Sequence, residues 1–79
     1  MVSLLLHIGS SGVNLTAWAV YDYIKAYIEE HTFPPTQQEI AEACILAKST
    51  VKYNLGKLED ARLIRLEPGR ARGITLLEQ

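Results

Sequence analysis

Two adjacent prolines, Pro34 and Pro35, divide the periodic part of this chain and constrain its fold more than any other feature. A proline lacks a backbone N–H and disfavours helix in the residue before it, so a helix that precedes this pair must end near His31. Thr36 follows at once, with Glu39 three residues later, which is the spacing of a capping box that starts a new helix. The sequence therefore predicts a sharp break between two helices.

Apolar residues recur at helical spacing on both sides of this break. Their positions predict helix one over about residues 16–31, helix two over about 37–45 and helix three over about 48–60. The stripes expected to be buried are Val20, Ile24, Tyr27 and Ile28 in helix one, Ile40, Ala43 and Cys44 in helix two, and Val51, Leu55 and Leu58 in helix three. The predicted core is thus helical, and it is small because the chain has only 79 residues.

After helix three the apolar residues no longer recur at helical spacing. Residues 63–66 and 73–76 have strand character, and residues 67–70, Glu-Pro-Gly-Arg, form a turn between them. The predicted fold class is mainly α with a small β-hairpin, a winged helix-turn-helix of three helices plus a two- or three-stranded antiparallel wing. This domain is expected over residues 14–79, and residues 1–13 are expected to be a flexible or apolar N-terminal extension, or a short added strand.

The turn between helices two and three contains Ile45 where turns of this kind usually contain glycine. A β-branched residue is poorly suited to a positive φ. We therefore expect this turn to be either rearranged or strained.

Charge is unevenly distributed along the chain. The formal net charge is −1, which at first argues against nucleic acid, because neutralisation of phosphates is normally a large term in binding. However, residues 1–47 have a net charge of −4 and residues 48–72 a net charge of +4. The basic segment begins at predicted helix three and includes the hairpin, so it favours a nucleic-acid surface there.

The residue types present give little support to a metal-binding protein, an enzyme or a membrane protein. Cys44 is the only cysteine and the two histidines lie far from it, so we expect neither a disulfide nor a zinc site. No nucleophile-base pair and no phosphate-binding loop is recognisable, so we predict a protein that is not an enzyme and needs no metal or other cofactor. The apolar run at residues 2–8 is too short to span a membrane and lacks the basic flank and cleavage site of a secretory signal, which predicts a cytoplasmic protein without a membrane partner. The sequence identifies no small-molecule substrate.

The outward face of helix three carries the residue types that contact DNA. When Val51 is centred in the buried stripe, hydrogen-bonding and cationic side chains turn outward, Thr50 lies at the edge, and Asn54 lies closer to the buried side. Such groups bond phosphates and base edges in the major groove, and two arginines at the hairpin tip would reach the minor groove or backbone. The predicted DNA-binding residues are Lys48, Ser49, Thr50, Lys52, Tyr53, Asn54, Gly56, Lys57, Arg70 and Arg72.

Several segments together resemble a known family. They are Asp22-Tyr23-Ile24, Pro34-Pro35-Thr36, Glu39-Ile40-Ala41 and the wing Gly69-Arg70-Ala71-Arg72-Gly73-Ile74. Over about residues 15–77 the chain resembles the DNA-binding domain of LexA-type SOS-response repressors. The resemblance implies sequence-specific binding of double-stranded DNA through helix three and the wing, as in a bacterial or phage-type transcriptional repressor, normally as a dimer. It does not extend to the self-cleaving domain of that family, so autoproteolysis is not implied.

One alternative from another class stays open, a winged-helix module that binds a protein through the acidic face of helix one. A DNA-binding domain should show continuous positive potential across helix three and the wing, and binding that falls steeply with salt. An interaction module should show neither property. For the free chain we expect a monomer or a weak homodimer.

Overall fold

The computed structural model describes residues 13–77 and confirms the predicted fold class. Three helices, α1 (Leu15–His31), α2 (Gln37–Cys44) and α3 (Lys48–Asp60), precede the strands β1 (Ile64–Leu66) and β2 (Ile74–Leu76). The two strands form one antiparallel sheet. The predicted N-terminal extension lies outside the described residues except for Val13, which is buried and belongs to the core of the domain.

Helix α1 begins and ends with local hydrogen bonds. Asn14 is the N-cap, and its side-chain oxygen accepts from the backbone amide of Ala17 at 2.9 Å. At the other end Thr32 takes a left-handed conformation, and its amide donates to the carbonyl of Ile28 at 2.8 Å. The helix therefore ends at His31, with two residues between it and the prolines that predicted its end.

The predicted capping box starts α2. The amide of Glu39 donates to the Thr36 hydroxyl at 3.1 Å, and the amide of Thr36 donates to the Glu39 carboxylate at 2.9 Å. The predicted buried face of this helix was partly wrong, because Ala41 is buried together with Ile40 whereas Ala43 is exposed. Cys44 is half-buried, and this burial raises the pKa of its thiol.

The turn after α2 is strained at Ile45. This residue has φ 56° and ψ 55°, a left-handed conformation in which a β-branched side chain is crowded. Its side chain is 88% exposed, so little packing offsets the strain. Of the two expected outcomes, the structure has the strained turn and not the rearranged one.

The core lies where the three helices meet the base of the hairpin. Its members are Val13, Ala17, Val20, Ile24, Ile40, Ala41, Val51, Leu55, Leu58, Leu63, Ile64 and Ile74. Strand pairing sets Ile64 opposite Leu76 and Leu66 opposite Ile74. The buried Ile64 and Ile74 thus fix the hairpin beside the C-terminal half of α3, while the loop between the strands extends outward.

Candidate nucleic-acid interface

The outward face of α3 is determined by the residues that the core occupies. Val51, Leu55 and Leu58 are fully buried, so the opposite side of the helix faces solvent. The predicted contact residues on that side are exposed at Lys48, Ser49, Lys52 and Tyr53 and half-buried at Thr50, Gly56 and Lys57. The helix therefore presents hydroxyl, phenol and ammonium groups together.

The N-terminus of α3 is open to an anionic partner. Its N-cap is Ala47, which has no side-chain acceptor, and its first turn contains no acidic residue. The first amides of a helix carry partial positive charge that attracts anions. Lys48 adds a full charge at the same end of the helix.

Tyr53 and Lys57 form a pair one turn apart on α3. The Lys57 ammonium lies over the Tyr53 ring, 5.3 Å from its centroid. This cation–π contact orients a ring that remains 61% exposed. The pair lies towards the C-terminal half of the helix, away from Lys48.

Asn54 does not share this face. Its side chain is only 2% exposed, and its amide nitrogen donates to the carbonyl of Thr50 at 2.8 Å. This burial agrees with the predicted position closer to the buried side of α3, and it does not support the predicted contact with a base. Asn54 instead bonds back onto its own helix, and no donor within residues 13–77 faces its Oδ1 atom.

The hairpin loop is longer than the sequence predicted and is closed by backbone bonds. The amide of Glu67 donates to the carbonyl of Gly73 at 2.8 Å, and the amide of Gly73 donates to the carbonyl of Arg70 at 3.2 Å. A Cβ at Gly73 would lie 2.5 Å from the Glu67 carbonyl oxygen, so this close approach requires glycine. The loop therefore holds Arg70 in a defined place.

The loop and the two helices of the helix-turn-helix enclose a surface groove, here called the wing groove. It has a volume of about 390 Å³ and is lined by Thr36, Gln37, Gln38, Lys48, Arg70 and Ala71. Lys52 lines an adjoining groove with Gln37 and Arg70. The structure thus brings together three predicted cations, Lys48, Lys52 and Arg70, and adds two glutamines that sequence reasoning missed.

Arg72 differs from its predicted placement at a free hairpin tip. Its guanidinium forms a bidentate ion pair with the Glu39 carboxylate, at 2.9 and 3.1 Å. It also donates to the Pro34 carbonyl at 2.8 Å and lies 4.8 Å from the centroid of the Phe33 ring. The predicted placement at a free hairpin tip is therefore wrong, because Arg72 links the wing to the start of α2. Its contact with DNA stays a prediction.

The ion pair persists over a wide range of pH. The hydrogen bond from Arg72, together with the backbone amide of Thr36, lowers the pKa of the Glu39 carboxyl to about 2. Hydrogen bonds from a guanidinium favour the charged form of a carboxylate. No local sequence signal indicated this pair, because the two residues are 33 positions apart.

The helix-turn-helix and the wing agree with the result of a comparison of the sequence with models of protein families. Residues 15–73 match the family model of the LexA DNA binding domain. This chain belongs to that family. The resemblance predicted from the proline pair, the capping box and the wing is thereby confirmed.

Curated LexA repressors are similar to this LexA-family chain over most of its length. It is 42% identical over 59 residues to the LexA repressor of Listeria welshimeri. It is 39% identical over 61 residues to the LexA repressors of Staphylococcus epidermidis and Clostridium tetani. These matches cover 73% to 76% of this chain and 29% to 30% of the relatives, so the chain spans about a third of their length.

Neither a metal-binding cluster nor a membrane-spanning helix is present in the described part of the chain. Within residues 13–77, no three His, Cys, Asp or Glu residues are arranged to hold a metal ion. No helix in the same part of the chain is long and apolar enough to cross a membrane. The helix-turn-helix and the wing are therefore the features from which we derive a function.

Proposed function

We propose that this LexA-family domain binds double-stranded DNA sequence-specifically, as the DNA-reading part of a repressor-like transcriptional regulator. The observation that carries the proposal is the wing groove, where cations from α3 and from the wing converge beside the open N-terminus of α3. Family membership supports the same function. The domain acts by binding and not by catalysis, and chromosomal or phage DNA as its target requires a cytoplasmic location.

In the proposed complex α3 enters the major groove with its N-terminal half foremost. Ser49 and Thr50 are hydroxyl donors and acceptors suited to either phosphates or base edges, and Tyr53 is suited to a base edge or a sugar. Lys52 and Lys57 supply charge to the flanking phosphates. The side chain of Asn54 contributes to the fold of α3 and not to contact with bases.

The wing contacts the sugar-phosphate backbone beside the groove that α3 enters. Arg70 is 75% exposed and keeps only a loose contact with Glu67, at 3.7 Å. It is therefore available to a phosphate, and Lys48 lines the same groove. Contacts of this kind fix the register of a protein on the duplex, and they make binding depend strongly on salt.

One such domain makes few contacts, so we infer that tight binding uses two copies on two half-sites about one helical turn apart. The free chain is then a monomer or a weak dimer. Regulation by the whole protein, with repression of particular operators, is proposed by analogy with the curated repressors.

The experiment that tests this proposal compares two lysine variants of the 79-residue chain on duplex DNA. First, bound sequences are selected from random duplexes; affinities for the selected sequence are then measured over a range of salt concentrations. We expect Lys52→Ala to weaken binding and to reduce the slope of log affinity against log salt by about one unit. Lys25→Ala on α1 removes the same charge from an exposed site away from the groove, and should leave the slope unchanged.

A parent chain without salt-dependent duplex binding would overturn the proposal. So would an equal change of slope in the two variants, because it would remove α3 from the interface. Binding to a protein partner that is lost on mutation of the acidic face of α1, and that is unaffected by Lys52→Ala, would favour the interaction module instead.

A further inference from the structure

The link between the wing and α2 depends on an acidic residue. Arg72 donates through both terminal nitrogens to Glu39, and the same carboxylate accepts the Thr36 amide that closes the capping box. Bidentate arginine–carboxylate pairs are directional as well as strong. Glu39 therefore fixes the Arg72 guanidinium in angle as well as in distance.

Arg70 belongs to the same short, hydrogen-bonded loop as Arg72. Gly73 follows Arg72, and its amide donates to the Arg70 carbonyl. The loop closes so tightly at Gly73 that there is no room for a Cβ. The backbone positions of Arg70 and Arg72 are therefore linked within one closed loop.

We propose that Glu39 is a positioning residue for DNA binding: it holds Arg72, and through Arg72 the wing loop, so that Arg70 lies in the wing groove with Lys48. The inference rests on the proposed DNA binding, and it assigns a role in that binding to a residue with the same negative charge as the phosphates. A carboxylate near a polyanion lowers affinity by repulsion. Positioning of Arg70 by Glu39 raises the affinity instead. Whether removal of the Glu39 charge weakens or strengthens DNA binding therefore distinguishes positioning from repulsion.

The decisive substitution is Glu39→Gln, because glutamine also forms the reciprocal bond of a capping box and preserves the start of α2. The matched control is Glu42→Gln on the same helix, which removes the same charge from an exposed residue whose carboxylate accepts a hydrogen bond from Gln38. Affinity for the selected duplex is measured over a range of salt concentrations, and thermal unfolding verifies that both variants are folded.

We expect Glu39→Gln to weaken binding by about the same factor as Arg70→Ala, and to reduce the salt slope by up to about one unit. Glu42→Gln should bind as tightly as the parent chain or more tightly. Arg72→Gln breaks the pair with Glu39 and also removes the bond to the Pro34 carbonyl, so its loss should be at least as large. Adding Glu39→Gln to it should have little further effect, because the shared ion pair is already broken.

The Arg70→Ala background distinguishes positioning from a general weakening of the fold. If Glu39 acts through Arg70, Glu39→Gln has no further effect on affinity once Arg70 is absent. An equal loss in both backgrounds would overturn the inference, and so would a Glu39→Gln variant that binds as Glu42→Gln does. These outcomes leave the proposed function intact, whereas a parent chain that binds no duplex defeats the function and the inference together.

Discussion

Glu59, near the end of α3, accepts a hydrogen bond from the backbone amide of Leu66 in β1 at 3.0 Å. The bond joins the proposed recognition helix to the base of the hairpin, while the Arg72 pair joins the hairpin loop to α2. Two carboxylates, Glu59 and Glu39, therefore bond the wing to the helix-turn-helix, in addition to the packing of Ile64 and Ile74 in the core.

Loss of the first attachment should be visible at a single amide. In Glu59→Ala the Leu66 amide loses its acceptor, and we expect its hydrogen exchange to accelerate and the free energy of unfolding to fall by about 1 kcal/mol. Glu59→Gln keeps an acceptor and should remain close to the parent chain. Unchanged exchange at Leu66 in the alanine variant would contradict the prediction.

The strained turn predicts a stabilising substitution. Ile45→Gly removes the Cβ from a left-handed residue, and we expect the free energy of unfolding to rise by about 1 kcal/mol. Ile45→Val stays β-branched and serves as the control, with no gain expected. Urea unfolding of the variants measures both values, and a glycine variant less stable than the parent would show that the exposed side chain contributes to the fold.

Substitutions of Ala47, the uncapped N-cap of α3, can distinguish an effect on stability from an effect on DNA binding. Ala47→Ser and Ala47→Asp each supply the missing acceptor, and each should stabilise the fold by about 1 kcal/mol. Only the aspartate brings a negative charge to the end of the helix that we place at DNA, so only Ala47→Asp should weaken duplex binding. Equal affinity of the two variants would argue that this end of the helix lies away from the phosphates.

Gly56 has room for a larger residue in the free domain, because an added Cβ would meet nothing within 4 Å. Gly56→Ala should therefore raise the free energy of unfolding by about 1 kcal/mol. We expect the same variant to bind DNA more weakly, since the missing Cβ permits close approach of α3 to the duplex. Ala47→Ser controls for added stability alone, and full affinity in Gly56→Ala would move the contact surface nearer Ser49 and Lys52.

The Glu39 pair predicts a defined acid sensitivity. The folded pKa of this carboxyl is about 2, below its ordinary value of 4.5. A lowered folded pKa contributes stability above the ordinary value, and this contribution is lost as pH falls from about 4.5 towards 2. Thermal unfolding across that window should therefore show a steeper loss for the parent chain than for Glu39→Gln, and parallel profiles would contradict the assignment.

Features set by local sequence were predictable and long-range contacts were not. The bounds of α3 agree with the prediction because Val51, Leu55 and Leu58 mark its buried side along its whole length. The conflict at Ile45 was also visible, because it depends on one residue type at one position in a turn. Arg72 was misplaced because its partners come from α2 and from the segment before it, which only tertiary folding brings to the wing.

Asn54 shows a different limit of the sequence pattern. Rotation by about 100° per residue placed it near the boundary of the exposed face, where a small change in the angle of the helix decides between solvent and core. The structure has it buried with Val51 and Leu55. Periodicity gives the centre of a face reliably, and it gives the edges poorly.

The net charge of −1 is the sum of unequal parts, because residues 1–47 have a net charge of −4 and residues 48–72, which include α3 and the wing, a net charge of +4. Far from a polyanion such a molecule feels little net force. Within about 8 Å, the screening length at physiological salt, it experiences a torque that turns its basic side towards the phosphates. We therefore expect encounters that present α3 and the wing to the duplex to be favoured over those that present α1, before any specific contact forms.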